Sequence, residues 1–491
     1  GVIWVGTDDG QVQLTKDGGH SWQNLSSKFS ARKRGLVPAR TWVPHIEASH
    51  HEAGTAYVVF DDHRRANWTP YVFMTKDFGQ SWQSIVTSDI DGFAHVIRED
   101  PAQKNLLFLG TEFGLYLSFD RGKNWMKWTS GLPTVPVRDL IIHPGDNDLI
   151  IGTHGRSIYI LDDIQPLGEL SEEIKAKKFH LFSVANAYQF RTSFYCPGYL
   201  TPGDMEFQGK NRPYGALITY SLGKLEAKKS ELAESGEGIT KNKEEDLIEI
   251  EILDSSDKVV RKIKGPKKYG LNRVNWDLRR ESFKSVRKPE EDFFPQRGPF
   301  VLPGTYTVRL KLGQDIAEKT FQVLADPRSP VSSQDRQQKY EMIMKNGHYL
   351  ETVTAAYKKL EEGLKAVNEV LKRIDQLNEN KRQTISTKAK AIKEKLKTFS
   401  LELAPPKDRS GIFEETELAS LLASLGYRLE SSFDAPTAGQ IQEFKKLEAA
   451  VKEKIKRINI FFEKEFQKFA EEVKQAGFSV FPEFKPIVIK E

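Results

Sequence analysis

Three arginines, Arg98, Arg138 and Arg156, fall in successive units of a repetitive N-terminal region. A guanidinium offers a planar fork of N–H donors, so arginines brought together would grip a carboxylate. The same region carries Glu47, Asp61, Asp62, Glu99, Glu112 and Asp163. Two carboxylates roughly 5 to 10 Å apart across a cleft are what cleavage of a glycosidic bond needs. His50, His51 and His63 beside Asp61 and Asp62 have the donor types of a metal site, but their spacing matches no metal-binding signature. Nothing local sets two of these carboxylates face to face. Turn capping, and ion pairs of the arginines with Glu99, Asp100 or Asp139, explain most of these residues without chemistry. The residues singled out for ligand binding are His45, Glu47, Arg98, Glu112, Arg138, His154 and Arg156, at the ends of first strands and in loops after second strands. No catalytic residue, metal ligand or cofactor is assigned. Walker loops, GxGxxG after a strand, GxSxG and HExxH do not occur.

The elements that position these residues announce themselves by repetition. TKDGGHSW (Thr15 to Trp22) returns as TKDFGQSW (Thr75 to Trp82) and SFDRGKNW (Ser118 to Trp125). In such a phrase the Asp accepts backbone N–H groups of its own turn, and the Ser or Thr hydroxyl bonds within the same loop. The Gly supplies a positive φ, and the Trp fills the space between neighbouring sheets. These are structural roles for Thr15, Asp17, Gly19 and Trp22, for Thr75, Asp77, Gly79 and Trp82, and for Ser118, Asp120, Gly122 and Trp125. A carboxylate committed to several donors has a low pKa and makes a poor general acid.

The phrases recur every 40 to 60 residues, the spacing of four-stranded propeller blades. VPHIEAS (Val43 to Ser49), FAHVIRED (Phe93 to Asp100) and VRDLIIHP (Val137 to Pro144) read as inner strands, each followed by strand, turn, strand. The chain opens directly on a second strand at Val2 to Gly6, and the last unit has no such phrase. Residues 1–165 are therefore expected to form about four blades, the first incomplete, as the C-terminal part of a longer propeller whose missing N-terminal blades are its partners in cis. Open sheet edges should make such a piece associate.

After a connector at 166–212 the alternation changes character. YGALITYSL, DLIEIEILDSSDKVVRKIKG, NRVNWDLRR and LPGTYTVRLKLG alternate with period two and predict a β-sandwich of immunoglobulin or fibronectin type III kind over 213–326. Its charged insertion at 224–245 reads as a solvated loop. From 330 to 491 the period is helical. One stripe runs Leu350, Val353, Tyr357, Leu360, Leu364, Val367, Leu371, Ile374, and a second runs Ile441, Phe444, Val451, Ile455, Ile458, Phe462, Phe466, Phe469. With shorter helices near 384–400 and 414–429, these predict an antiparallel bundle and an extended tail. Pro436 and Thr437 mark the start of the last long helix.

The composition fits this multidomain reading, mainly β and then α. The 491 residues exceed one ordinary domain. Lys plus Arg number 73 against 68 Asp plus Glu, interspersed, which gives no reason to expect nucleic acid as a partner. Cys196 is alone, so no disulfide can form within the chain. No apolar run is long enough to span a membrane.

The repeated phrases resemble the Asp-box, or bacterial neuraminidase repeat. The wider text is similar to the last blades of large bacterial sortilin-like propeller proteins, often labelled glycosyl hydrolases: GTDDGQVQLTKDGGHSW, WVPHIEASHHEAGTAYVVFDDHR, HVIREDPAQKNLLFLGTEFGLYLSFDRGKNW and VPVRDLIIHPGDNDLIIGTHGRSIYILDD. NRPYGALITYSL, NRVNWDLR and LPGTYTVRL resemble that family's immunoglobulin-like domain, and DAPTAGQ (Asp434 to Gln440) its helical tail. The resemblance implies a secreted, periplasmic or envelope protein. It also implies a non-catalytic scaffold for a protein, peptide or glycan ligand. The alternative is a glycoside hydrolase whose catalytic residues lie partly in the missing blades. A sialidase would add a Tyr–Glu nucleophile pair and an Asp acid to its three arginines, and no such pair can be assigned here.

Overall fold

The computed structural model describes residues 1–29, 37–191, 209–223, 247–286, 297–376, 379–406, 416–477 and 486–489. Cys196 and the charged insertion at 224–245 lie outside them. The chain is mainly β and ends in helices.

Residues 3–161 form four consecutive antiparallel sheets. The first holds β1 (Ile3–Gly6), β2 (Val12–Thr15) and β3 (Gln23–Asn24). The second holds β4 (Trp42–Ala48), β5 (Ala56–Asp61), β6 (Tyr71–Thr75) and β7 (Gln83–Ser84). The third holds β8 (Ala94–Glu99), β9 (Leu107–Thr111), β10 (Gly114–Ser118) and β11 (Met126–Trp128). The fourth holds β12 (Val137–Ile142), β13 (Leu149–Thr153) and β14 (Ile158–Leu161). Strands follow one another in chain order within each sheet, because tight turns leave no reach for a crossover.

Each neighbouring pair of sheets encloses its own core. Val12, Leu14, Val58 and Phe73 fill the first gap, Tyr57, Ile97, Leu109 and Tyr116 the second, and Phe108, Leu115, Leu140 and Ile151 the third. Burial on both faces is why β5, β9 and β10 are apolar without alternation. Close approach explains Gly110 at the end of β9. A Cβ there would lie 2.6 Å from the Val137 carbonyl oxygen and 2.7 Å from Val96 Cγ1. Gly6 of β1 faces Val43 of the next sheet in the same way.

The repeated turn is one network built three times. In the second copy the Thr75 hydroxyl donates to Asp77 Oδ1 (2.8 Å), the Ser81 N–H donates to the same oxygen (2.9 Å), and the Ser81 hydroxyl donates to Oδ2 (2.6 Å). Ser21 and Asn124 take the Ser81 role in the other copies. The carboxylate thus takes fewer backbone donors than the sequence suggested, and more from the side chain just before the Trp. The Ser81 hydroxyl and N–H hold Asp77 down at about 2. Asp17 is lowered likewise by Ser21. At Asp120 burial pulls upward and is outweighed by the Asn124 donors. Gly19, Gly79 and Gly122 all have positive φ, 103°, 77° and 85°. The tryptophans reach backwards along the row of sheets. Trp125 donates through Nε1 to the Ile85 carbonyl (2.7 Å), and Trp82 meets Trp4 edge-on at 5.9 Å. Trp22 is 47% exposed instead of filling a gap, because among the described residues no sheet packs behind the first.

Two short helices follow, α1 (Gln165–Glu169) and α2 (Glu172–Ala176). Two packed sheets come next. One has three strands, β15 (Phe179–Leu181), β17 (Ala216–Leu222) and β20 (Gly270–Trp276). The other runs β16 (Ala187–Gln189), β22 (Asp315–Ala325), β21 (Gly304–Leu312), β18 (Leu247–Leu253) and β19 (Val259–Pro266), with β16 parallel to β22. They share a core around Trp276, Tyr220, Ile250 and Phe321. Arg273 of β20 joins this unit to the fourth sheet by donating to the Asp162 and Asp163 carbonyls (2.5 and 2.8 Å).

The remainder is helical: α3 (Ser333–Arg373), α4 (Glu379–Leu403), α5 (Leu418–Leu429), α6 (Ala438–Phe461), a π-helical turn (Phe462–Phe466) and α7 (Gln467–Gln475). Thr437 caps α6 in a reciprocal box with Gln440. One core gathers Val353, Leu360, Leu396, Leu422, Val451 and Phe466. The second stripe needs two corrections. Ile441 is 36% exposed, because it sits in the first turn of α6, outside the core. Phe461 is buried beside Phe462, because it lies three residues beyond the buried Ile458 on the same helical face.

Candidate functional site

The loops after β5, β9 and β13 lie at one end of the four sheets, and the first residues of β8 and β12 reach the same end. There Glu112 and Arg138 come together through a histidine that the sequence reading passed over. His95 is buried, with Nε2 3.2 Å from Glu112 Oε2 and Nδ1 3.2 Å from Arg138 NH1. An arginine only donates, so Nδ1 carries no proton and the neutral ring donates through Nε2 to the carboxylate. Burial, with the charges of Arg138 and His63 beside it, holds His95 down at about 3. Arg138 NH2 also pairs with Glu112 Oε2 at 3.6 Å. Beside the ring, Asp61 Oδ1 meets His63 Nδ1 at 2.6 Å, while its buried Oδ2, 3.8 Å from His95 Nδ1, has no hydrogen-bond partner.

Aromatic rings border this polar cluster. His63 stacks on Phe93 (4.6 Å), and His95 meets the same ring edge-on (4.8 Å). Trp68, 61% exposed, leans on Phe93 from the loop after β5. Phe113, 45% exposed, covers Gly92 from the loop after β9. Two exposed rings near a guanidinium and a carboxylate are groups that can stack on a sugar or side chain and hydrogen-bond its polar edge. Trp68 and Phe113 carried no sequence signal beyond lying in loops after second strands.

The other candidates are placed differently. His154 sits at this end, its N–H donating to the Pro136 carbonyl (2.9 Å), and its side chain is exposed. Arg156 is exposed in the same turn, and neither residue joins the His95 cluster. His45, Glu47 and Arg98 form a second group. Arg98 NH1 lies 2.7 Å from Glu47 Oε2, and Arg98 Nε donates to the Leu140 carbonyl (2.9 Å). One side chain thus ties β4, β8 and β12 together. His45 Nε2 lies 3.5 Å from the same Glu47 oxygen. Arg98 and Arg138 therefore pair with Glu47 and Glu112, not with Glu99, Asp100 or Asp139, because their partners lie on neighbouring sheets and loops. Glu99 is buried in a separate lattice, accepting from Tyr57 (2.8 Å), Ser49 (2.6 Å) and the His50 N–H (2.9 Å). Among the described residues no group of His, Cys, Asp and Glu could hold a metal.

A larger cleft, about 500 Å³, lies between the third sheet and α1–α2. Its acidic residues are already engaged: Asp120 in its own turn, Glu169 by the Ser183 N–H (3.3 Å), Glu172 by Lys175 (2.7 Å). Among the described residues no helix is long and apolar enough to cross a membrane.

No family model matches the chain, and no curated protein matches it. Solved structures that resemble parts of it include the GH74 enzyme of Niastella koreensis (18% identity, 33% of this chain, 26% of that one, TM-score 0.27). YCF48 bound to D1 peptide is another (17%, 33% and 62%, TM-score 0.21), and apo AztD from Citrobacter koseri a third (16%, 33% and 47%, TM-score 0.18). The chain spans about a quarter of the length of the GH74 enzyme that it resembles.

Proposed function

We propose that residues 1–165 are blades of an Asp-box, sortilin-like propeller that acts as a binding scaffold without catalysis. Its ligand, a protein, peptide or glycan, lies against Trp68, Phe113, Glu112 and Arg138. The two packed sheets are then an immunoglobulin-like module, and with the helices they brace the blades. A secreted or envelope location goes with this reading.

One observation carries it: the acidic groups at this end are bound up in pairs with His95, Arg138 and His63, while the rings beside them stand open. A nucleophile needs a free approach to carbon. Glu112 is held instead by two donors, which suits orienting a ligand. The test is an array of glycans and extended peptides probed with the full chain, followed by product analysis on every captured ligand. Capture that fails in Trp68→Ala and Arg138→Ala, with the ligand recovered uncut, supports the reading. Turnover of a glycoside abolished by Glu112→Gln would overturn it in favour of a hydrolase.

A further inference from the structure

A second site lies far from this end, where the helices meet the five-stranded sheet. A cavity of about 30 Å³ is lined there by Gln189, Tyr340, Phe433, two cationic side chains, Arg336 and Lys339, and one carboxylate, Glu430. Both cations belong to the first turns of α3, and they are only 5% and 4% exposed. Arg336 NH1 donates to Gln189 Oε1 (3.3 Å), and its guanidinium lies 4.8 Å from the Phe433 ring centre. Its Nε and NH2 are buried and have no hydrogen-bond partner. Lys339 has one, Gln440 Oε1 at 3.3 Å.

A buried guanidinium edge with no acceptor is costly, and native structures rarely leave one. The open edge here, Nε with NH2, is the one that takes both oxygens of a carboxylate side by side. Nearby acids do not fill it. Glu430 pairs with Arg279 (2.8 Å), Asp326 is held by Arg328 (2.9 Å at both oxygens), and Asp434 is exposed at the rim. The Tyr340 hydroxyl accepts from Arg280 (2.9 Å), which leaves its own proton to give. Desolvation lowers the pKa of both Arg336 and Lys339, and the charge of Asp434 near them offsets it only in part. The volume exceeds what one water requires.

We infer that this cavity binds a small monoanion of carboxylate type, formate to acetate in size, gripped by the Nε–NH2 edge of Arg336 and balanced by Lys339. The bound anion locks α3 and the loop after α5 onto the five-stranded sheet. The cavity walls come from β16, α3 and the loop after α5, so the anion would be held only while these parts are docked.

The test uses the full chain at constant ionic strength, with sodium gluconate, too large for the cavity, as the background salt. Carbon-13 formate is titrated while its NMR line width is followed, and thermal unfolding is recorded in formate, acetate and gluconate. Saturable broadening and a melting temperature raised by formate and acetate alone are expected. Arg336→Met should weaken formate binding about tenfold or more, the loss of a charge-assisted pair. Should that variant fail to fold, Lys339→Met provides the same readout with the fork intact. No broadening with the wild type, or broadening unchanged in a folded Arg336→Met or Lys339→Met, would overturn the inference and leave the cavity to water.

Discussion

Arg98 and Glu47 give the sharpest prediction, because the same two residues serve as a ligand grip in one reading and an internal clamp in the other. Glu47's side chain is 5% exposed and Arg98's is 24%. Replacing Arg98 by Met keeps the stem and removes the charge. It strands the Glu47 carboxylate with only His45 at 3.5 Å, His50 at 3.9 Å and the Glu99 N–H at 3.4 Å. Breaking a buried pair from one side costs about 3–5 kcal/mol, and the partial exposure of Arg98 points to about 3. Glu47→Gln leaves a cation that still reaches water and the Leu140 carbonyl, at about 1–2 kcal/mol. In the double variant nothing charged is stranded, so it should be more stable than Arg98→Met alone, with a coupling of about 2 kcal/mol. Urea unfolding followed by tryptophan emission suits the question. Seven of the 8 tryptophans (Trp4, Trp22, Trp42, Trp68, Trp82, Trp125 and Trp128) lie in the strands of the four sheets or the turns and loops between them. A neutral Arg98→Met, or strictly additive costs, would refute the clamp and return Arg98 to the list of groups free to meet a ligand.

Gly110→Val should cost about 1–3 kcal/mol in the same assay, because the new side chain runs into the Val137 carbonyl at the gap between the third and fourth sheets. His95 sets a pH dependence. The unfolded ring protonates near 6.5 and the folded one at about 3, so the unfolded chain binds more protons between these values. Stability from this group is complete above pH 6.5 and declines as the pH falls towards 3. The wild type should lose about 2 kcal/mol between pH 6.5 and 5 relative to His95→Gln, measured by urea unfolding at each pH. Asp77→Asn should destabilise the second sheet by about 1 kcal/mol or more, because an amide replaces the acceptor of the Ser81 hydroxyl, with any ligand affinity unchanged.

The strands were legible because they alternate or run apolar between glycine-marked turns, and the long helices because their stripes hold a period of three and four. β15 and β16 were not, since three residues show no period. Within the site, the loops after second strands could be named from the repeat. The pairing of Arg98 with Glu47 could not, because the register of one sheet against the next is set by packing between residues some fifty positions apart. His95 escaped for a related reason: a histidine in a buried strand looks like core until the neighbouring sheet supplies Arg138. Arg336 and Lys339 carry no signal in the sequence, because their burial arises only where α3 docks on the sheet.

The most direct measurement is calorimetric titration of an array-captured ligand into the wild type and into a folded Trp68→Ala/Arg138→Ala double variant. The account predicts at least about a tenfold loss of affinity, from one stacking ring and one charged donor, with the ligand recovered intact. Equal affinity in the two proteins would place the ligand elsewhere and contradict it.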